Sequence, residues 1–208
     1  MYREIVPSWV PAPEQPRVAD GRVDVWRIPL PAPATAVARP AGRETAGAAL
    51  RDILGRYLDR PAGVVRLHQR PGGKPFVDAP GPGLEFNLSH CADLALVAVT
   101  TGLAVGIDVE AARRVSHPLR MARRMFTADE VALLESLTDE ALIECFLDLW
   151  TRMEARQKAV GHGIFTEAVD PAGLTSMTFR PGPRHWASLS LSPRCPPPSL
   201  RFLDYRPA

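Results

Sequence analysis

The chain has 208 residues, 46% of them hydrophobic, and 25 Lys and Arg against 23 Asp and Glu give a formal net charge of +2. That is enough apolar material for one or two compact units with a real core, and the near-balanced charge excludes the polyelectrolyte character of a nucleic-acid binder. No apolar run is long enough to span a bilayer, nothing near Met1 resembles a signal peptide, and Cys91, Cys145 and Cys195 lack paired or zinc-motif spacing, which together predict a cytoplasmic protein with no membrane partner.

In chain order, prolines cluster at residues 7–16, 29–40 and 193–198 and predict extended arms or linkers rather than long helices. Residues 1–20 read as a proline-rich N-terminal arm. A strand is expected at 23–30, a helix at 44–58 and a strand at 64–69. Gly72-Gly73-Lys74-Pro75 then reads as a turn presenting a lysine. In Glu85-Phe86-Asn87-Leu88-Ser89-His90-Cys91 a hydroxyl and an imidazole stand side by side before the apolar strand 94–99. Lysine, serine and charged histidine all donate to phosphate, although each alone reads equally as a solvated turn residue, a turn cap or a structural histidine.

A Thr101-Gly102 turn and a strand at 105–110 are expected to complete a hairpin with 94–99. Alternation turns Val105, Ile107 and Val109 to one face and Gly106, Asp108 and Glu110 to the other. Two carboxylates beside an apolar layer call for a cation, Mg2+ suits carboxylate plus phosphate oxygens, and the bare Gly106 leaves room for the ligand. The hexapeptide alone reads as well as a half-solvated edge strand.

Residues 113–126 are rich in arginine and methionine, a surface for an acidic partner or a solvated basic helix. Thr127-Ala128-Asp129-Glu130 is a capping-box pattern, which assigns Glu130 to a helix start rather than to a metal. A helix over 141–158, capped by Thr138 or Asp139 and ended by Gly161 and Gly163, carries the stripe Ile143, Leu147, Trp150, continued by Glu154 and Lys158. Strands at 176–180, 186–191 and 200–205 close the chain.

The succession Gly73-Lys74-Pro75, Phe86-Asn87-Leu88-Ser89-His90, Gly106-Ile107-Asp108-Val109-Glu110, Phe126-Thr127-x-x-Glu130 and Trp150-Thr151-x-x-Glu154-x-x-x-Lys158-Ala159-x-Gly161-x-Gly163 resembles the 4'-phosphopantetheinyl transferase superfamily, of the longer surfactin-synthetase-activating type. The resemblance spans residues 24–163. It implies an α+β fold of two similar halves in one chain, related by a pseudo-twofold axis, with the active site in the cleft between them. The halves would be residues 21–103, with coenzyme A-binding elements, and 104–208, with the metal-site acids.

The resemblance also implies a monomer that moves the 4'-phosphopantetheine arm of coenzyme A to a serine of an apo acyl or peptidyl carrier protein, with Mg2+, releasing 3',5'-ADP. Carriers of fatty-acid, polyketide and nonribosomal-peptide synthesis, and so of secondary metabolism, are the implied clients. Asp108, Glu110 and Glu154 match the metal acids, Glu154, Lys158 and His90 the catalytic groups, and Lys74, Pro75, Ser89, His90 and Lys158 the coenzyme contacts. Arg51, with Arg39 and Arg43 as alternatives, is expected to read the 3'-phosphate. Met153 stands where the family usually has lysine, and a lysine there is expected to preserve or improve catalysis. The other readings are a coenzyme A or 3',5'-ADP binding module without turnover and a Mg2+-dependent phosphodiester hydrolase.

Overall fold

The computed structural model describes residues 3–31, 39–78, 83–161, 173–193 and 198–207. Gly163, Cys195 and parts of the two later proline clusters lie outside them, as does the side chain of Arg39. The fold is α+β and is built on two sheets. One has the order β2-β11-β3-β7-β6, from β2 (Trp9–Pro11), β3 (Arg22–Pro29), β6 (Leu84–His90), β7 (Leu94–Thr101) and β11 (Ser199–Asp204). The other has the order β1-β9-β10-β8, from β1 (Arg3–Ile5), β8 (Val105–Ala111), β9 (Thr175–Phe179) and β10 (His185–Leu191).

Alternation along the strands sorts the core into layers. Trp26 and Ile28 of β3 and Ala95, Val97 and Val99 of β7 face the 20-residue helix α1 (Arg39–Leu58), where Ala46, Leu50, Ile53 and Leu54 meet them. Val23, Val25, Leu96 and Ala98 face the other way and pack against Val105, Ile107, Val109, Leu189 and Leu191 of the second sheet. That sheet carries the 22-residue helix α4 (Asp139–Val160) on its outer face, ended by Gly161 at φ 76°. Left-handed backbone of that kind is the usual site of glycine at a helix end. A third apolar cluster joins α4 to α2 (Pro118–Met125) and α3 (Ala128–Glu135) through Ala122, Leu134, Phe146 and Trp150. Fully buried Asp24 binds α1, β3 and β11 together by accepting from Tyr57 Oη at 2.6 Å and from Arg201 Nε at 2.9 Å. Among the described residues no helix is long and apolar enough to cross a membrane.

The expected hairpin between 94–99 and 105–110 is not formed. β7 is central, with β3 on one edge and β6 on the other, so neither edge is open to β8. The chain crosses instead to the second sheet, where β8 pairs antiparallel with β10. The strand expected at 64–69 also divides: Ala62–Val64 is a 3-10 turn after Pro61, and only β4 (Leu67–Gln69) forms a paired strand, with β5 (Pro75–Val77) in a separate ribbon. The proline-rich arm supplies one strand to each sheet, β1 beside β9 and β2 beside β11, and β11 returns from the end of the chain to lie against β3.

Candidate active site

β6 and β8 are the facing edges of the two sheets, and side chains close the seam between them. Asn87 Oδ1 accepts from Ile107 N at 2.9 Å and Ser89 Oγ accepts from Val109 N at 3.3 Å, so β6 side chains occupy the backbone donors that a neighbouring strand would otherwise satisfy. Ser89 Oγ also donates to Asp108 Oδ1 at 2.8 Å. Asn87 carries no role in the sequence reading. Its signal was the period of two in Phe86-Asn87-Leu88-Ser89, which puts Asn87 on the same face as Ser89.

The acids lie on the face of β8 predicted by alternation, and α4 covers that face. A Cβ at Gly106 would stand 2.0 Å from Ala155 O and 2.3 Å from Ala159 N. The space expected to admit a ligand at Gly106 is therefore filled by helix backbone: the missing side chain permits close packing of α4 on β8. That approach sets Glu154 and Lys158, one turn apart, against Asp108. Lys158 Nζ lies 2.5 Å from Asp108 Oδ1, 3.1 Å from Ser89 Oγ and 3.6 Å from Glu154 Oε2.

The charge is unbalanced. Asp108 is 3% exposed, and its Oδ2 is buried with no hydrogen-bond partner. Burial first, then the Asp108 and Glu110 carboxylates, push the Glu154 carboxyl up to about 7 against the pull of Lys158. Glu110 is half-buried and is held by Arg113 at 3.1 Å and 3.2 Å. His90 is exposed at the end of β6, beside Ser89.

The remaining predicted residues sit further out. Lys74 does not stand in solvent at the tip of its turn: Gly72 packs so closely on Gly161 that a Cβ there would lie 2.1 Å from Gly161 O. The Lys74 ammonium turns inward to donate to Val105 O at 3.0 Å and Ala159 O at 3.3 Å, and burial lowers its pKa. It satisfies a carbonyl of the last turn of α4, where a cation also suits the helix dipole. Beside it, Arg70, Lys74, Glu85, Leu103, Val160 and Gly161 line a cavity of about 620 Å³, and Pro75 is half-buried at the start of β5. Arg51 is exposed on α1, across the five-stranded sheet, and donates to Gly47 O of its own helix. Glu130 completes a capping box with Thr127, as its spacing predicts. Met153 packs into the cluster of Phe146 and Trp150.

Residues 104–192 match the 4'-phosphopantetheinyl transferase superfamily model, ACPS. The chain is 36% identical over 180 residues to the 4'-phosphopantetheinyl transferase HetI of Nostoc sp., covering 76% of each chain. It is 34% identical over 131 residues to the 4'-phosphopantetheinyl transferase psf-1 of Bacillus pumilus, covering 63% of this chain and 52% of that one. With the 4'-phosphopantetheinyl transferase gsp of Aneurinibacillus migulanus the identity is 31% over 117 residues, 56% of this chain and 46% of that one.

Proposed function

The chain belongs to the 4'-phosphopantetheinyl transferase superfamily, and on that premise we propose that it transfers the 4'-phosphopantetheine arm of coenzyme A to a serine hydroxyl of an apo acyl or peptidyl carrier protein, using Mg2+ at Asp108, Glu110 and Glu154. The observation that carries the reading is the unpartnered, buried Oδ2 of Asp108 next to a Glu154 carboxyl raised to about 7. Both fit a hard cation, which Asp108, Glu110 and Glu154 would hold and which would offset their charge. When bound, Mg2+ supplies charge neutralisation at the pyrophosphate oxygens of coenzyme A.

The protein's own groups do the rest. In the transfer, the serine oxygen bonds to the β-phosphorus, the bond from that phosphorus to the bridging oxygen breaks, and 3',5'-ADP leaves with the electron pair. Glu154 takes the serine proton in this reading, its carboxylate lying beside Lys158 at the seam. Lys158, now the counter-ion of Asp108, and exposed His90 offset negative charge on the phosphates. Lys74 orders the wall of the adjoining cavity, and Pro75 and Ser89 contribute to the coenzyme surface. Arg120, Arg123 and Arg124 are exposed on α2 while Leu119, Met121 and Met125 are half-buried beneath them, a surface suited to an acidic carrier helix.

Incubation with coenzyme A, Mg2+ and an apo carrier protein, followed by intact-mass measurement, tests the proposal. The expected result is a carrier heavier by one phosphopantetheine arm. Loss of coenzyme A without carrier modification would mark a phosphodiester hydrolase instead, and binding without either would mark a coenzyme-binding module.

A further inference from the structure

Outside the carboxylate site, three chemically different metal ligands converge from distant parts of the sequence. Cys91 and Asp93 lie in the turn between β6 and β7 of one sheet, and His185 begins β10 of the other. Their ligand atoms all fall within 4.8 Å of one another. His185 Nε2 is 2.9 Å from Asp93 Oδ1, and Cys91 Sγ is 3.9 Å from the same oxygen. Ligands of a tetrahedral zinc ion, at about 2.3 Å for sulfur and about 2.0 Å for nitrogen or oxygen, stand about 3.3 to 3.6 Å apart. The His185–Asp93 pair, now a direct hydrogen bond, would have to open by about 0.4 Å and the Cys91–Asp93 pair to close by about 0.4 Å to take up an ion.

A Cβ at Gly182 would lie 2.9 Å from His185 Nδ1, so the glycine leaves room for the ring; Nδ1 is buried without a hydrogen-bond partner, while Nε2 faces Asp93. Cys91 is half-buried and not engaged in a disulfide, so its sulfur is available as a ligand. Thiolate and imidazole select a softer ion than Mg2+, and three protein ligands leave a fourth position for water.

We propose that Cys91, Asp93 and His185 bind Zn2+ or a similar borderline-soft divalent cation, and that the ion clamps the β6–β7 turn to β10 across the two sheets. The clamp closes the end of the seam next to His90 and Glu110, since His185 pairs with Ala111 in the strand register. Its ligands are distinct from Asp108, Glu110 and Glu154, and the inference does not depend on the transferase reading.

The test uses the 208-residue, chelator-treated protein under reducing conditions in excess Mg2+, which saturates oxygen-only sites. Zn2+ is titrated in competition with a chromophoric chelator, and Co2+ is added in parallel as a spectroscopic probe. The wild type should take up one Zn2+, gain thermal stability from it, and give a thiolate-to-cobalt charge-transfer band. Cys91→Ser and His185→Ala should each weaken Zn2+ binding by at least about tenfold, the loss expected from removing even an outer partner of a metal site. The band should vanish in Cys91→Ser and persist in Cys145→Ser and Asp108→Ala, with circular dichroism confirming that each variant is folded. Absence of Zn2+ uptake by the wild type, undiminished binding in Cys91→Ser, or a Co2+ spectrum without thiolate character would each overturn the proposal.

Discussion

Lys158 Nζ sits 2.5 Å from Asp108 Oδ1, while the other oxygen of the same carboxylate is buried without a partner. The ion pair satisfies one half of the carboxylate and leaves the other directed at the neighbourhood of Glu154. A buried carboxylate oxygen of this kind is costly unless a cation or the proton of Glu154 meets it, and Lys158 is already engaged.

Asp108→Ala and Glu154→Ala should each lower carrier modification by about 10²-fold or more, the scale on which loss of a charge-stabilising group acts in the transition state. Both should retain the wild-type circular dichroism spectrum, because each residue lies at the seam rather than in an apolar cluster. Turnover that persists in either variant at saturating Mg2+ would remove that residue from the site.

In the metal-free protein, stability should fall as pH rises from about 4.5 to about 7. Glu154 titrates higher in the folded state than its ordinary 4.5, so folding binds a proton across that window and the benefit is lost above it. The shift corresponds to at most about 3 kcal/mol. Thermal melts in chelator at pH 5 and pH 8 should show this loss in the wild type and a smaller one in Glu154→Gln, and Mg2+ should restore wild-type stability at pH 8. Parallel pH profiles for the two proteins would contradict the assignment.

Gly106→Ala should destabilise the fold by about 2 to 3 kcal/mol and abolish transfer. The added methyl meets the backbone of α4 at Ala155 and Ala159, which cannot rotate aside as a side chain would, so the helix must lift from β8. Chemical denaturation and a transfer assay on the same preparation check this; an unperturbed midpoint would show that the contact relaxes cheaply.

Arg120→Glu should raise the KM for an acidic carrier several-fold and flatten its salt dependence, with coenzyme A affinity unchanged, because an exposed charge acts on encounter. Arg123 is a less direct probe, since it already pairs with Glu135 at 2.7 Å. A fall in coenzyme affinity with unaltered carrier kinetics would move α2 from the carrier surface to the nucleotide pocket.

Met153→Lys should lower the melting temperature without tightening coenzyme A binding. Family resemblance favoured a gain, but Met153 packs with Phe146 and Trp150 beneath α2 and α3, so a lysine there loses contacts and carries a charge against an apolar cluster. Calorimetric titration with coenzyme A beside a melting curve decides it, and tighter binding with an unchanged melt would restore the original expectation.

Periodicity alone was enough to put Asp108 and Glu110 on one face of a strand, Glu154 and Lys158 on one stripe of a helix, and Glu130 in a cap, because each depends on neighbours within four residues. Most of the strands and both long helices were legible for the same reason. What faces those residues was not. Whether β8 joins β7 depends on β3 and β6 having already taken both edges of β7, and the bare side of Gly106 reads alike whether a ligand or a helix fills it. The direction of Lys74 follows from Gly72 meeting Gly161 almost ninety positions away, and the meeting of Cys91, Asp93 and His185 follows from two sheets brought edge to edge. These are non-local contacts, and the local pattern of a chain reports which side of an element is covered without naming what covers it.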